Sequence, residues 1–550
     1  MKKVLSVLLV VVMLFTMAVP AFAVSTFTDA GIRKNIPIIR ISGDGEPLYD
    51  KAGNKLLHYK DLLKGIAGDD ADKENIYKSI ANVLLPFIVE GLVQDKWDNY
   101  YKNLQKEISD LMGEVLLDGN GNPKEGTGIS QGTKNQVIYD KTHDKKDRNG
   151  NYGVYTYYFK YDWRLDPLET ADEFNDYIKS VKKVTGAEKV GIMSSCLGCA
   201  MAMTYIAKYG TDDICGITMD APVLNGSEIL SETISGKFKI DGDAINRFLV
   251  DCDAYGLFSV DEFINATIDL LTKSGAVGAI TGTVKQTLYY KLVQGVTSAL
   301  SLSTFYTWPS YWTSVSAADY DTAKEYVFGP EGSEKRTEYA GLIERLDSYD
   351  KLVRQRLPEL YNQVINSGVN FGLIAKYGVQ MAPAIESCNE LGDAIVTVKS
   401  ASIGATTSSI YNTLSDDYIA RRVAEGKGKY ISPDKQVDAS TCMFPEYTWF
   451  VKGTNHSNWT TAENNLLWRV VTAEKQITIN DTDSTQFMVY DNDKGVMSPM
   501  TELNCNTYYW AADEEYDNPQ DHKSWISSFL TSLFRWIKLA FERFFTKADK

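Results

Sequence analysis

Cys196 lies at a sharp turn whose surroundings suit nucleophilic catalysis. A short apolar run at 190–193 precedes the turn, and an apolar-periodic helix is predicted from Cys199 onward. A nucleophile in a strained strand-to-helix turn requires small residues two positions before it and two after it, because larger ones clash across the turn. Ser194 and Gly198 meet this requirement. The pattern predicts a nucleophile at Cys196.

Side-chain size also excludes the neighbouring register of the turn. A turn centred on Ser195 would be flanked by Met193 and Leu197, both of which are too large. The residue at the tip is therefore a cysteine. The positive end of a helix dipole favours a thiolate. A thiolate attacks thioesters and activated acyl groups readily, and because it is also a good leaving group, ordinary esters are expected to turn over less readily.

A nucleophile of this kind needs a histidine to take its proton. The chain has four histidines. His456 follows a predicted strand at 447–451 and Gly453, at the place in the chain where such a base is expected. The other three occupy a charged helical stretch, a polar loop and the approach to the terminal helix: His58, His143 and His522. We therefore predict that His456 is the base.

A carboxylate must orient that histidine, and three candidates follow predicted strands or turns. Asp393, in the motif Gly392-Asp393-Ala394, is the predicted acid. Asp434 is an alternative because it lies closer in sequence to His456. Asp220 is a third option, at the end of the strand predicted after the helix that begins at Cys199.

An early glycine-rich loop is expected to complete the site. The apolar strand at 36–41 is followed by Ser42-Gly43-Asp44-Gly45. Glycines let a backbone approach a substrate oxygen closely. We predict that the backbone N–H groups of Leu197 and Asp44 form an oxyanion hole, although the same glycines also suit an ordinary turn.

The order of predicted elements indicates an α/β protein. Strands alternate with helices along the chain, which favours a mostly parallel central sheet flanked by helices. Together with the turn at Cys196, this order predicts an α/β-hydrolase fold with an inserted helical cap. The predicted division is a signal peptide at 1–23, a first core part at 24–228, the cap at 229–366, a second core part at 367–475, a small β-rich appendage at 476–520 and an amphipathic helix at 521–550.

The first residues predict export. Lys2 and Lys3 precede an apolar segment, and Ala21-Phe22-Ala23 forms a small-x-small cleavage site. The chain should be secreted or associated with the cell surface. Its terminal helix has a wide aromatic face and basic residues, so it is expected either to contact a membrane surface or to dock on the domain.

Composition limits the partners. The 550-residue chain has a formal charge of −15, which argues against a nucleic-acid partner. Its seven cysteines are too few and too dispersed for a disulfide scaffold, and they show no zinc-ligand spacing with histidine. The predicted chemistry requires no cofactor and no metal; the expected partner is an acyl ester, thioester or lipid substrate.

Several segments together resemble the lecithin:cholesterol acyltransferase-like branch of the α/β-hydrolases. The resemblance rests on Tyr161-Asp162-Trp163-Arg164, on the turn at Cys196 with the Tyr205–Gly210 stretch after it, and on the order of Asp393 and His456. It implies an eight-stranded core sheet with a cap, and acyl transfer or hydrolysis on lipid esters through a covalent acyl-enzyme. The chain departs from the family at Cys196, where the family has serine, and at Ala394, where it has glycine.

Other interpretations of the cysteine remain open. Cys196-Leu197-Gly198-Cys199 is also a CxxC at a strand-to-helix junction, as in thioredoxin-like oxidoreductases. In a milder form, a Cys196–Cys199 disulfide would silence a hydrolase. A third alternative is a catalytically weak or inactive hydrolase fold that binds lipid or a cell-surface partner.

Overall fold

The computed structural model describes most of the chain between residues 31 and 505. The described residues are 31–57, 90, 96–130, 156–241, 244, 247, 295, 298, 299 and 301–505, apart from 32, 34, 35, 44, 45, 240, 383, 384, 483 and 492–494. The predicted signal peptide, Asp44 and the terminal helix at 521–550 lie outside them. So do His58, His143 and His522.

Strands and helices alternate through the described chain. The strands are β1 (Ile38–Ile41), β2 (Leu48–Tyr49), β3 (Lys55–Leu57), β4 (Gly128–Ile129), β5 (Thr156–Tyr158), β6 (Val190–Ser195), β7 (Ile214–Asp220), β8 (Asn370–Tyr377), β9 (Thr406–Thr407), β10 (Val437–Asp438), β11 (Thr448–Lys452), β12 (Phe487–Asp491) and β13 (Val496–Pro499). The α-helices are α1 (Asp98–Met112), α2 (Pro167–Thr185), α3 (Leu197–Tyr209), α4 (Glu228–Ile234), α5 (Pro309–Trp312), α6 (Tyr320–Phe328), α7 (Glu334–Glu338), α8 (Ala340–Leu352), α9 (Leu357–Asn366), α10 (Val398–Ala401), α11 (Asp416–Ala424) and α12 (Thr461–Thr472). Single 3₁₀ turns lie at Phe305–Thr307, Arg354–Arg356, Glu386–Asn389, Gly428–Tyr430, Ala439–Thr441 and Pro445–Tyr447.

An eight-stranded sheet forms the centre of the protein. Its strand order is β13-β12-β11-β8-β7-β6-β1-β5. Every neighbouring pair is parallel except β12 and β13, which are antiparallel. The expectation of a mostly parallel central sheet flanked by helices is confirmed. The carboxyl ends of the parallel strands lie along one edge, where loops from several strands meet.

Helices cover both faces of the sheet. Ile39, Ile41 and Ile192 belong to the core that includes the apolar residues of α2 and α3. Ile38 and Met193, which alternate with them, belong to the core formed with α12. This alternation follows from the two-residue period of a strand. A strand buried on both faces is expected to be apolar throughout, as β6 is over most of its length.

Local sequence signals explain where two of these helices begin and end. The Asp166 side chain accepts the N–H of Leu168 at 2.9 Å, and Pro167 occupies the first turn. Gly186, with φ 71°, ends α2. At α12 a capping box joins Thr460 and Glu463. Both helices therefore begin at a side-chain cap encoded in a short segment of the sequence.

The segment predicted as a separate β-rich appendage supplies part of the central sheet. β12 pairs in parallel with β11, with Phe450 opposite Phe487, and β13 completes that edge. The interpretation of 476–520 as an appendage is corrected for its described strands. The period of a strand is readable locally, but the strand with which it pairs depends on the whole fold.

The chain between β7 and β8 contributes helices α4 to α9, which lie within the predicted cap at 229–366 except for the first residue of α4. The aromatic cluster of Trp308, Tyr311 and Trp312 is interior. Trp308 and Tyr311 lie in the main core, where their rings are 5.1 Å and 5.9 Å from that of Trp163. Trp312 belongs to a third core that includes Phe328, on which it stacks. These rings pack against other core residues of the fold.

Two general features of the described residues bear on partners. No helix within those ranges combines the length and the apolar character that crossing a bilayer requires. Nor do the same residues contain a group of His, Cys, Asp and Glu side chains arranged to hold a metal ion.

Candidate active site

The backbone at Cys196 has the conformation of a strained strand-to-helix turn. β6 ends at Ser195, α3 begins at Leu197, and Cys196 between them has φ 50° and ψ −130°. A residue with a Cβ in such a region costs on the order of 1–3 kcal/mol and persists only where the surroundings impose it. The Cys196 N–H donates to the Asp220 carbonyl at 3.1 Å.

Close packing explains the small residues on either side of the turn. A Cβ at Gly198 would lie 2.3 Å from the carbonyl oxygen of Ile41, so only glycine fits there. The Ser194 hydroxyl is buried and donates to the Thr218 carbonyl at 2.8 Å. The size requirement inferred from the sequence therefore has a direct steric cause at Gly198.

The two cysteines of the CxxC differ in accessibility. Cys196 is partly exposed and Cys199 is fully buried, and both are free thiols. Burial raises the pKa of the Cys199 thiol well above its ordinary value. Cys199 is therefore poorly suited to react as a thiolate, whereas Cys196 can meet a substrate.

The glycine loop after β1 passes beside the nucleophile. A Cβ at Gly43 would lie 3.3 Å from Cys196 Sγ and 3.5 Å from the backbone nitrogen of Leu197. As the first residue of α3, Leu197 has an N–H that no earlier turn of the helix can accept. Asp44, the second predicted oxyanion residue, lies outside the described residues.

The Tyr-Asp-Trp-Arg segment anchors that loop on both sides of Asp44. The Tyr161 hydroxyl donates to the Ser42 carbonyl and the Trp163 indole N–H donates to the Glu46 carbonyl, each at 2.9 Å. In the sequence the segment is a family signature only, because a contact between residues more than 100 positions apart cannot be read from either segment alone.

A buried ion pair fixes the segment in turn. Both ends of the Arg164 guanidinium bind Asp162, at 2.9 Å and 2.6 Å, and a third N–H donates to the Val115 carbonyl at 3.0 Å. Arg164 is completely buried. A bidentate pair of this geometry orients both side chains, so the segment is a rigid support for the loop.

His456 and Asp393 are paired in the interior. His456 Nδ1 and Asp393 Oδ2 are 2.8 Å apart, and both side chains are buried. The other carboxylate oxygen, Oδ1, accepts the N–H groups of Ile395 and Val396 at 3.0 Å and 2.9 Å. Ala394 has φ 86°, because the chain folds back over the carboxylate between these residues.

The charge of His456 is set by its two neighbours. Burial lowers its pKa, but the negative charges of Asp393 and Cys196, together with the hydrogen bond to Asp393, outweigh burial and raise the pKa of His456 to about 10. The histidine is thus bound to the predicted acid and lies within electrostatic range of the predicted nucleophile.

The two alternative acids have other partners. Asp434 lies 2.8 Å from the Lys452 ammonium and accepts the Tyr377 hydroxyl at 3.1 Å. Asp220 lies 2.9 Å from the ammonium of Lys376. Of the three carboxylates considered from the sequence, Asp393 is the one that binds the His456 ring.

Comparison with known proteins adds little to this geometry. No family model matches the chain, and no curated protein matches it. One solved structure, described as the crystal structure of the Tle4-Tli4 complex, is 13% identical over 62% of this chain and 75% of that chain, with a TM-score of 0.23. A likeness that weak carries no argument about function, so the resemblance to the acyltransferase-like branch stays a prediction.

Proposed function

We propose that this protein is an exported α/β-hydrolase that cleaves or transfers acyl groups through a covalent intermediate on Cys196. The observation that carries the proposal is the position of His456, which is bound to the buried Asp393 and interacts electrostatically with Cys196. A partly exposed thiol at a strained turn, a histidine beside it and a carboxylate behind the histidine are the parts that acyl transfer requires.

In the acylation step, the Cys196 thiolate attacks the substrate carbonyl and forms a carbon–sulfur bond. The oxygen that becomes negative is stabilised by the backbone N–H of Leu197 and that of Asp44. Collapse of this intermediate breaks the bond to the alcohol or thiol of the substrate. The departing atom takes the proton of the His456 imidazolium, which leaves a thioester on Cys196.

In the second step, water or an alcohol attacks that thioester while neutral His456 accepts its proton. The intermediate collapses with the Cys196 thiolate as the leaving group, so the thiolate–imidazolium pair is restored. Asp393 keeps the imidazole in the required orientation throughout both steps. Water yields a free acid, and an alcohol yields a new ester.

The sulfur atom at position 196, in place of oxygen, favours substrates with activated acyl groups. Exchange of one thioester for another is nearly balanced, whereas forming a thioester from an ordinary oxygen ester is uphill. We therefore expect thioesters to turn over faster than alkyl esters of the same acyl group. The predicted leader at 1–23 and the terminal helix at 521–550 would deliver this activity outside the cell, at or near a lipid surface.

The decisive experiment compares turnover in three proteins that begin at Val24. Wild type, Cys196→Ala and Cys199→Ala are assayed under reducing conditions on acyl thioesters and p-nitrophenyl esters of increasing chain length, with intact-mass detection of an acyl adduct. We expect wild type and Cys199→Ala to be active and Cys196→Ala to be inactive and unlabelled.

Two other outcomes contradict the proposal. If Cys199→Ala also abolishes activity, both thiols are required and a dithiol mechanism replaces the triad. If all three proteins are inert on every substrate and form no adduct, the hydrolase fold serves in binding, and a lipid or cell-surface ligand becomes the object of the search.

A further inference from the structure

A buried cluster of charged side chains lies within electrostatic range of His456 and Asp393. The Lys376 ammonium, near the end of β8, is 2.9 Å from Asp220 Oδ2 at the end of β7. The same ammonium is 3.7 Å from Glu463 Oε1 in the first turn of α12. All three side chains are buried, Lys376 completely.

The composition of the cluster is costly for the fold. Two carboxylates share one lysine, and Asp220 Oδ1 has no hydrogen-bond partner among the described residues. Burial raises the pKa of Asp220 and that of Glu463, the latter to about 7. Burial lowers the pKa of Lys376, but the charges of Asp220 and Glu463 outweigh it and raise that pKa. Apolar side chains would fill this volume at lower cost, so a role in the site is the better explanation.

The contacts of the cluster reach both reactive residues. The backbone carbonyl of Asp220 accepts the Cys196 N–H at 3.1 Å. The Lys376 ammonium donates to the carbonyl of Asn458 at 2.6 Å, two residues after His456. One lysine side chain therefore joins the strand end that fixes the nucleophile to the loop that carries the base.

The cluster also affects which carboxylate faces the histidine. Asp220 interacts electrostatically with both His456 and Asp393, so it is near enough to compete for the imidazolium. Its pairing with Lys376 leaves Asp393 as the orienting acid. The titratable groups that face one another here are Lys376, Asp220, Glu463, Asp393 and His456, with Tyr490 beside Glu463.

We propose that Lys376 is a positioning residue for the triad, which sets the distance between Cys196 and His456 and withholds Asp220 from the histidine. The proposal rests on the function proposed above, and it deepens that function by naming the residue that positions Cys196 and His456. Lys376 touches neither substrate nor the reacting atoms; it acts through Asp220 and the loop after His456.

The chain offers a matched control in Lys452. It lies one strand away on β11, is buried and is paired with a carboxylate, Asp434, at 2.8 Å, with Gln436 as a further acceptor. Both of those partners lie in the loop just before β10. Lys376→Met and Lys452→Met therefore remove the same charge from comparable surroundings.

The test follows alkylation of Cys196 by iodoacetamide as a function of pH, because this reaction needs no acyl substrate. Peptide mass mapping identifies the labelled thiol. In Lys376→Met we expect the rate near pH 7 to fall about tenfold relative to both wild type and Lys452→Met, because the thiolate loses its aligned imidazolium. Above the ordinary cysteine pKa of about 8.5, where any thiol ionises, the rates should converge.

A second variant keeps the test valid if Lys376→Met folds poorly. Lys376→Met combined with Asp220→Asn removes both charges and leaves no uncompensated carboxylate from that pair, and it should show the same loss near pH 7. The proposal is overturned if either folded Lys376 variant has the pH profile of wild type, or if Lys452→Met changes the profile equally. If wild type shows no acyl turnover but the alkylation rates still differ between wild type and the Lys376 variants as expected, only the hydrolase proposal is contradicted.

Discussion

His456 is bound to Asp393 twice, once through its side chain and once through its backbone. Its ring nitrogen Nδ1 lies 2.8 Å from Asp393 Oδ2, and its backbone N–H donates to the Asp393 carbonyl at 3.0 Å. The two residues are 63 positions apart in the chain. The backbone contact fixes the loop and the side-chain contact fixes the ring, so Asp393 holds both the position of His456 and the orientation of its imidazole.

Asp393→Asn is predicted to reduce kcat/KM by roughly 10³- to 10⁴-fold, because an amide donates where the carboxylate accepts and so favours the wrong histidine tautomer. The measurement is turnover of the best acyl thioester. Asp434→Asn, which alters the pair with Lys452, should lower stability and leave kcat/KM near the wild-type value. An equal loss in both variants would show that Asp393 has no special relation to the histidine.

The charge of His456 predicts a pH dependence of stability. Its pKa is raised from an ordinary value of about 6.5 in the unfolded chain to about 10 in the fold. The contribution is therefore fully present below about pH 6.5 and is lost as the pH rises through about 10. Burial raises the pKa values of Glu228 and Glu463 to about 7, so their contributions to the pH dependence of stability fall mainly below pH 7.

The measurement is the difference in free energy of unfolding between wild type and His456→Gln, from urea titrations between about pH 7 and pH 10. We expect this difference to shrink with rising pH by an amount on the order of a few kcal/mol. A difference that stays constant across the range would contradict a charged histidine.

Ala394→Gly is predicted to stabilise the protein. Ala394 has φ 86°, where a Cβ costs about 1–2 kcal/mol, and part of the gain is offset by the greater freedom of glycine in the unfolded chain. The net expectation is about 0.5–1 kcal/mol with activity retained, measured by urea unfolding. Ala207→Gly, inside α3, is the control and should cost about 1 kcal/mol. Similar losses in the two variants would exclude strain at Ala394.

Tyr161→Phe is predicted to lower kcat/KM by roughly ten- to a hundredfold, because the loop that leads to Asp44 loses the hydroxyl contact to Ser42. Phenylalanine preserves the stacking on Phe159. Tyr177→Phe is the matched control, since its hydroxyl donates to the Tyr158 carbonyl at 3.1 Å. Each variant should lose about 1 kcal/mol of stability. If both retain full kcat/KM, the loop does not depend on this anchor.

The sequence was most informative where the determinants are local. The turn at Cys196 follows from side-chain sizes at two neighbouring positions, and the caps of α2 and α12 lie within a few residues of the helices they begin. His456 was predicted from the strand and glycine before it. In each case the physical cause is contained in a short segment of chain.

The remaining features depend on long-range contacts. Asp393 could not be separated from Asp434 because the choice depends on which loop reaches His456, and β12 could not be assigned to the central sheet because strand pairing is not encoded in a strand alone. One signal was overlooked. Lys376 is a lysine near the end of an otherwise apolar run in β8, and a charged residue in a strand buried at every position must have a partner.

The backbone at Cys196 has a consequence for the history of such a site. Because φ 50° and the packing at Gly198 fix where the side chain begins, sulfur and oxygen would occupy nearly the same place at its tip. A cysteine and a serine codon differ by a single nucleotide, so a lineage can pass between thiol and hydroxyl chemistry without rebuilding the turn. What must be adjusted is the protonation of the histidine: a thiolate partner favours the cation, and a hydroxyl nucleophile requires the neutral ring. Evolutionary change at this position is therefore limited by the ionisation of a neighbour and not by the architecture.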